Sequence, residues 1–231
     1  MIKVKINKVE YSIKTSWNEL TYGEYLNIIE AEDELTSVSI LSGIPVNYLL
    51  RMDEESLNKL TACLSFMQEL PSEEVEAKDI RESSFGQKIV FQQKAKELSQ
   101  MRVLGVALAI YEYNYKELDE SLLEVFKLPF TYVYCLGLNY IEQLGKICEI
   151  EAEHLKSDVT NEQKRAGIDM FNEFEVMNTI DSLAGGNILN YEKVLEIDYN
   201  TVFIKLKMLK FASQYKENYA KIMSKKKWLY Q

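Results

Sequence analysis

Met101-Arg102-Val103-Leu104-Gly105-Val106-Ala107-Leu108-Ala109-Ile110-Tyr111-Glu112-Tyr113 is the stretch on which the fold turns. Apolar residues fill nearly every position instead of one stripe, so a helix here must be buried on most sides. Its most apolar part, Val103 to Ile110, is far shorter than the about 20 apolar residues a bilayer span requires. The stretch therefore reads as the central core helix of a globular protein. A mixed-charge helical segment precedes it from Phe85-Gly86 to Gln100. After a loop or short helix ending at Leu128-Pro129, a long helix is expected from Thr131 to about His154. It carries Val133, Leu136, Tyr140, Leu144 and Ile147 at helical spacing, and its tail, Glu149 to His154, is expected to face water.

The N-terminus has a different period. Ile2-Lys3-Val4-Lys5-Ile6 and Val9-Glu10-Tyr11-Ser12-Ile13 alternate around Asn7-Lys8, which predicts a β-hairpin with a two-residue turn. Thr15 to Thr21 offers capping side chains for a helix bearing Tyr22, Tyr25, Leu26 and Ile29. Three short helices should follow to Leu70, broken at Gly43-Ile44-Pro45 and at Met52 to Ser56. Residues 71–84 are acidic and weakly apolar, an exposed connection with room for a short strand at Val75 to Ile80. The fold class is mainly α with an N-terminal β-hairpin, a multi-helix globular protein. It divides as a hairpin-plus-helices module at 1–70 and a helical body at 71–231, or else forms one compact domain. No internal repeat or low-complexity tract is expected.

The 231 residues are 47% hydrophobic and 27% charged, with 27 Lys and Arg against 36 Asp and Glu. That composition excludes disorder, and the net charge of −9 argues against a surface built to grip phosphates. The charge is unevenly placed. Residues 203–231 hold eight Lys and one Glu, a local +7 that leaves −16 on the preceding 202 residues. On this last helix Val202, Leu206, Leu209, Ala212, Tyr215, Tyr219 and Ile222 read as one inward stripe. The basic face would then be free to dock on an acidic surface, with Lys216, Lys221, Lys225, Lys226, Lys227 and Trp228 as interface candidates.

Catalytic chemistry is hard to place. The single His, His154, sits beside Glu151 and Glu153 and reads as a surface residue, leaving no base for a Ser or Cys nucleophile. Cys63, Cys135 and Cys148 form no CxxC pair, which fits free thiols in a reducing compartment and no zinc site. Gly145-Lys146 lacks the spacing and the following Ser or Thr of a P-loop, and Gly185-Gly186 reads as a helix C-cap. No catalytic, cofactor or metal residue is assigned. An enzyme using carboxylate-bound metal would need several Asp or Glu converging in one pocket. No secretory signal is visible at Met1 to Ile6.

Trp17-Asn18-Glu19-Leu20-Thr21-Tyr22-Gly23-Glu24-Tyr25-Leu26, followed by Val38 to Pro45, resembles proteins of the tail and virion-assembly genes of tailed bacteriophages. It is similar to tail assembly chaperones, which share a W-x-x-L-T-x-x-E-Y opening, and to ring proteins of the tail and head-tail junction in crAss-like phages. Glu162 to Phe171 and Ile180 to Asn187 look similar to the same proteins, and Lys-, Asn-, Ile- and Tyr-rich usage fits an AT-rich phage genome. The resemblance implies a non-enzymatic virion structural protein, a homo-oligomeric ring subunit assembled in the host bacterial cytoplasm. Its partners would be further copies of itself and neighbouring tail or portal-proximal proteins, with no membrane and no direct nucleic-acid contact. The alternative it implies is a tail assembly chaperone, absent from the mature virion.

Overall fold

The computed structural model describes residues 1–6, 8–156 and 159–228, with side chains described as far as Ser224. It is mainly α with an N-terminal antiparallel hairpin. Strands β1 (Ile2–Ile6) and β2 (Val9–Ile13) are followed by helices α1 (Tyr22–Ile29), α2 (Glu34–Ser42), α3 (Val46–Leu49), α4 (Glu54–Ala62), α5 (Phe85–Glu97) and α6 (Gln100–Tyr111). Then come α7 (Leu118–Val125), α8 (Phe130–Leu155), α9 (Asn161–Arg165), α10 (Val176–Leu183), α11 (Tyr191–Glu196) and α12 (Tyr199–Trp228). The chain divides into two compact units, residues 1–78 with 91–142, and residues 79–90 with 143–231. Each unit is assembled from two separate stretches of chain.

In the first unit the register pairs Ile2 with Ile13, Val4 with Tyr11 and Ile6 with Val9. The alternating apolar residues therefore share one face of the hairpin, as period-two patterning requires. Lys8 takes φ +70, the left-handed turn conformation, and Asn7 lies outside the described residues. A lone hairpin is marginal in water. This one is held by Ile13, Val38, Ile44, Leu49 and Leu60, with Val4, Ile6, Tyr11 and Met52 packed around them. Trp17 packs edge-on against Tyr25 and Phe66 and at a tilt against Phe130, and its indole N–H donates to the Glu69 carbonyl at 2.8 Å. Residues 70–79 form no strand, but Glu73 N–H donates to the Cys135 Sγ at 3.4 Å, which ties that stretch to α8.

Helix α6 is the core helix its composition demanded: every residue from Val103 to Tyr111 is buried. Two glycines allow that density. A Cβ on Gly105 would stand 2.4 Å from the Tyr22 ring, and one on Gly137 of α8 would stand 2.9 Å from the Leu104 Cα. The Tyr22 hydroxyl donates to the Met101 carbonyl at 2.6 Å and accepts from Gly105 N–H at 3.1 Å. Burial pushes its ionisation up to about 12, so it stays a neutral donor.

The first N–H groups of an α-helix have no partner inside the helix. In the first unit the starts of α1 and α8 satisfy each other: Tyr22 N–H donates to Leu128 O, Gly23 N–H to Phe126 O, and Phe130 N–H to Leu20 O at 2.7–3.0 Å. In the second unit the starts of α5 and α12 do the same, Phe85 N–H to Ile197 O at 2.8 Å and Tyr199 N–H to Ser83 O at 2.9 Å. Each of the four helices opens on a buried aromatic, Tyr22, Phe85, Phe130 or Tyr199. The same local device thus occurs twice, on signatures of a few residues that are too short to read as a repeat.

In the second unit Ile80, Phe85, Ile89, Leu144, Ile147, Ile180, Val194, Tyr199 and Val202 are buried. Inside it lies an ion pair. The buried Lys88 ammonium donates to both Glu151 carboxylate oxygens at 2.8 Å and lies 5.6 Å from the Tyr199 ring centre. The acidic tail of α8 is therefore not wholly a solvated face: Glu151 turns inward because only a carboxylate can neutralise Lys88 there. His154 packs edge-on against Phe203.

Two outcomes follow. Gly137→Ala should lower stability by about 1–3 kcal/mol through overpacking, whereas Gly145→Ala, on the same helix with nothing within 4 Å of its added Cβ, should be neutral or stabilising in urea unfolding. Glu151→Gln should cost about 3–5 kcal/mol by stranding a buried ammonium, while the double change Lys88→Met/Glu151→Leu should recover most of that loss.

Candidate interaction surfaces

Helix α12 starts on a built cap, with the Asp198 carboxylate accepting from Thr201 N–H at 2.8 Å. Hydrogen bonds from the Thr201 hydroxyl and N–H hold the Asp198 carboxyl below the usual carboxylate range. The inner face carries buried Val202 and partly buried Leu206. Lys210 donates to the carbonyls of His154 and Lys156 at 2.9 and 2.6 Å, capping the end of α8 with a cation. From Phe211 to Ser224 every residue is exposed.

That exposure corrects the single inward stripe expected for this helix. Steps of three residues rotate backward by about 60° each, since a residue advances about 100°. The series Val202, Leu206, Leu209, Ala212, Tyr215 consequently crosses from one side of the helix to the other. The residues that stay on one side are Ile204, Met208, Phe211, Tyr215, Tyr219 and Ile222, spaced 4, 3, 4, 4, 3 and confined to an arc of about 80°. All six are exposed, and the rings of Tyr215 and Tyr219 stack at 6.1 Å. The spacing is legible in the sequence; which of two apolar faces the chain covers is not.

Exposed Lys205 and Lys216 flank the outer stripe on one side and exposed Lys221 on the other. Of the interface candidates, Lys216 and Lys221 are thus solvent-facing beside an apolar stripe. The side chains of Lys225, Lys226, Lys227 and Trp228 lie outside the described residues, although the helix backbone continues to Trp228. A cationic rim around apolar and Tyr side chains is suited to an acidic-rimmed protein surface.

A second surface, missed in the sequence, lies wholly in the first unit. The apolar face of the hairpin is only partly covered, and Ile2 remains 47% exposed. Between it and α4 opens a pocket of about 540 Å³, walled by Val4, Ile6, Ile13, Ile44, Met52 and Leu60. Lys5, Arg51, Lys59 and the Cys63 thiol also line it. The Asp53 carboxylate at its edge is engaged by Ser56 N–H at 2.8 Å as the cap of α4. Its volume falls among the roughly 300–1,000 Å³ of ligand sites. Alternation in the strands marked the face as apolar but could not tell that the helices beneath fill it incompletely.

Among the described residues no group of three or more His, Cys, Asp or Glu is arranged to hold a metal ion, and no helix is long and apolar enough to cross a membrane. In dilute solution the amides of Phe211–Ser224 should show little hydrogen-exchange protection, and rising concentration should protect them; protection independent of concentration would remove α12 as a self-contact. Comparison with known proteins finds no family model, curated protein or solved structure that matches this chain.

Proposed function

We propose that this chain is a non-enzymatic structural component of a tailed-phage virion, a homo-oligomeric ring subunit of the tail or head-tail junction. The observation that carries the reading is the outer stripe of α12, six large apolar or Tyr side chains left exposed and bordered by lysines. Isolated helices of about 12–15 residues are marginal in water. The fourteen exposed residues from Phe211 to Ser224 gain their stability when a partner covers the stripe. The charge of −16 on residues 1–202 against +7 on residues 203–231 makes another copy of the same chain a complementary partner. Such a contact is head-to-tail, and repeated by a closing rotation it generates a ring. The phage assignment rests on the resemblance carried by Trp17 to Leu26 and Val38 to Pro45.

The pocket under the hairpin favours a second reading, a tail assembly chaperone that holds an apolar segment of a tail protein and leaves before the virion matures. Quantitative mass spectrometry of purified virions separates the two. A fixed ratio to the major capsid protein is expected for the ring subunit; absence from particles despite abundance in infected cells identifies the chaperone. In the isolated protein, Phe211→Glu/Tyr215→Glu should dissociate the oligomer. Charge reversal of Lys216, Lys221, Lys225, Lys226 and Lys227 together should weaken it at least tenfold, with the wild-type contact fading as salt rises. An oligomer that survives both sets of changes is not built on α12.

A further inference from the structure

The hairpin pocket has a matching shape in chemistry elsewhere on the same chain. Ile168–Phe174 forms a short 3-10 turn that leaves Met170, Phe171 and Phe174 exposed at 69%, 58% and 54%. Two phenylalanines and a methionine within five residues thus form a contiguous apolar patch in contact with water. Asp169, Glu173 and Glu175 are interleaved with them and are themselves exposed. The turn is fixed at both ends by left-handed backbone, Gly167 at φ +84 and Glu175 at φ +39, and the Asn178 side-chain amide donates to the Phe171 carbonyl at 2.6 Å.

We propose that the pocket beneath the hairpin of one copy receives the Ile168–Glu175 turn of a second copy. The inference rests on the reading of the chain as a self-assembling subunit and names a second contact in that assembly. Both halves of the match are on the surface. The pocket wall is aliphatic, contributed by Val4, Ile6, Ile13 and Leu60, and would take the two Phe rings and the Met side chain. Its cations, Lys5, Arg51 and Lys59, stand against Asp169, Glu173 and Glu175. Arg51 pairs with no carboxylate among the described residues. Lys59 pairs with Glu55 in an exposed i,i+4 pair, which holds it weakly, and it also attracts the Asp53 carboxylate at the pocket edge, which Ser56 already engages. The contact joins two different patches, so it is head-to-tail and compatible with the ring geometry of the α12 contact.

Cys63 lines the pocket and provides the test. On a Cys135→Ser/Cys148→Ser background, Phe171→Cys should form a disulfide with Cys63 of the next copy under mild oxidation by oxidised glutathione. Covalent dimers and higher multimers should then appear on non-reducing gels, and Phe174→Cys serves as the second variant. Arg51→Glu/Lys59→Glu should cut the yield at least tenfold, and adding Asp169→Lys/Glu173→Lys should restore it. A disulfide closed within one chain, or Cys63 captured in infected cells by a different phage protein, overturns the second copy as occupant. Sedimentation of the unmodified chain separates the two failures. Oligomers without any Cys63 cross-link sink this contact and leave the assembly reading standing, whereas monomers without a cross-link sink both.

Discussion

Paired helix starts are the constraint on which the rest of the structure depends. A helix opens with N–H groups that have no internal partner, and burying them unpaired is costly. Here the opening residues of α1 and α8 bond to each other's leading carbonyls, as do those of α5 and α12. Each bridge joins chain segments more than 100 residues apart and pins a buried aromatic at the first helical position. With Tyr22 placed this way, its hydroxyl reaches the backbone of α6 at Gly105, and the core helix has only one depth at which it can sit.

The two glycines of the core show how a side chain's absence acts structurally. Gly137 sits in the same helix as Gly145, yet only Gly137 meets a backbone, at Leu104. The first marks a close helix approach, where a methyl group would force the helices apart. The second faces open space. Neither takes part in a phosphate-binding loop, and Gly145-Lys146 lies within the continuous helix α8.

The surface follows from what the cores leave over. The second unit buries the first turns of α12 through Val202 and spends Lys210 on the end of α8, after which the helix continues with no side chain covered up to Ser224. The first unit covers the hairpin with short helices that stop short of filling the space beneath it. Both surplus surfaces are apolar with cationic borders, and the exposed Met170-Phe171-Phe174 turn is apolar with an acidic border. This complementarity is what supports the proposed contact between copies.

Sequence alone determined the hairpin, the buried helix at Met101 to Tyr111 and the helix caps. These are local matters: period two against period 3.6, a run too apolar to tolerate water, side chains that cap their own helix. Tertiary structure alone decided that Glu151 turns inward to Lys88, that Gly137 is a contact point, and which of the two apolar faces of α12 is covered. It also decided that the hairpin's apolar face roofs a pocket. The physical reason is the same in each case. An apolar or charged face states what it must avoid or pair with, but whether the chain itself supplies the partner depends on residues distant in the sequence, as Leu104 is from Gly137 and Lys88 from Glu151.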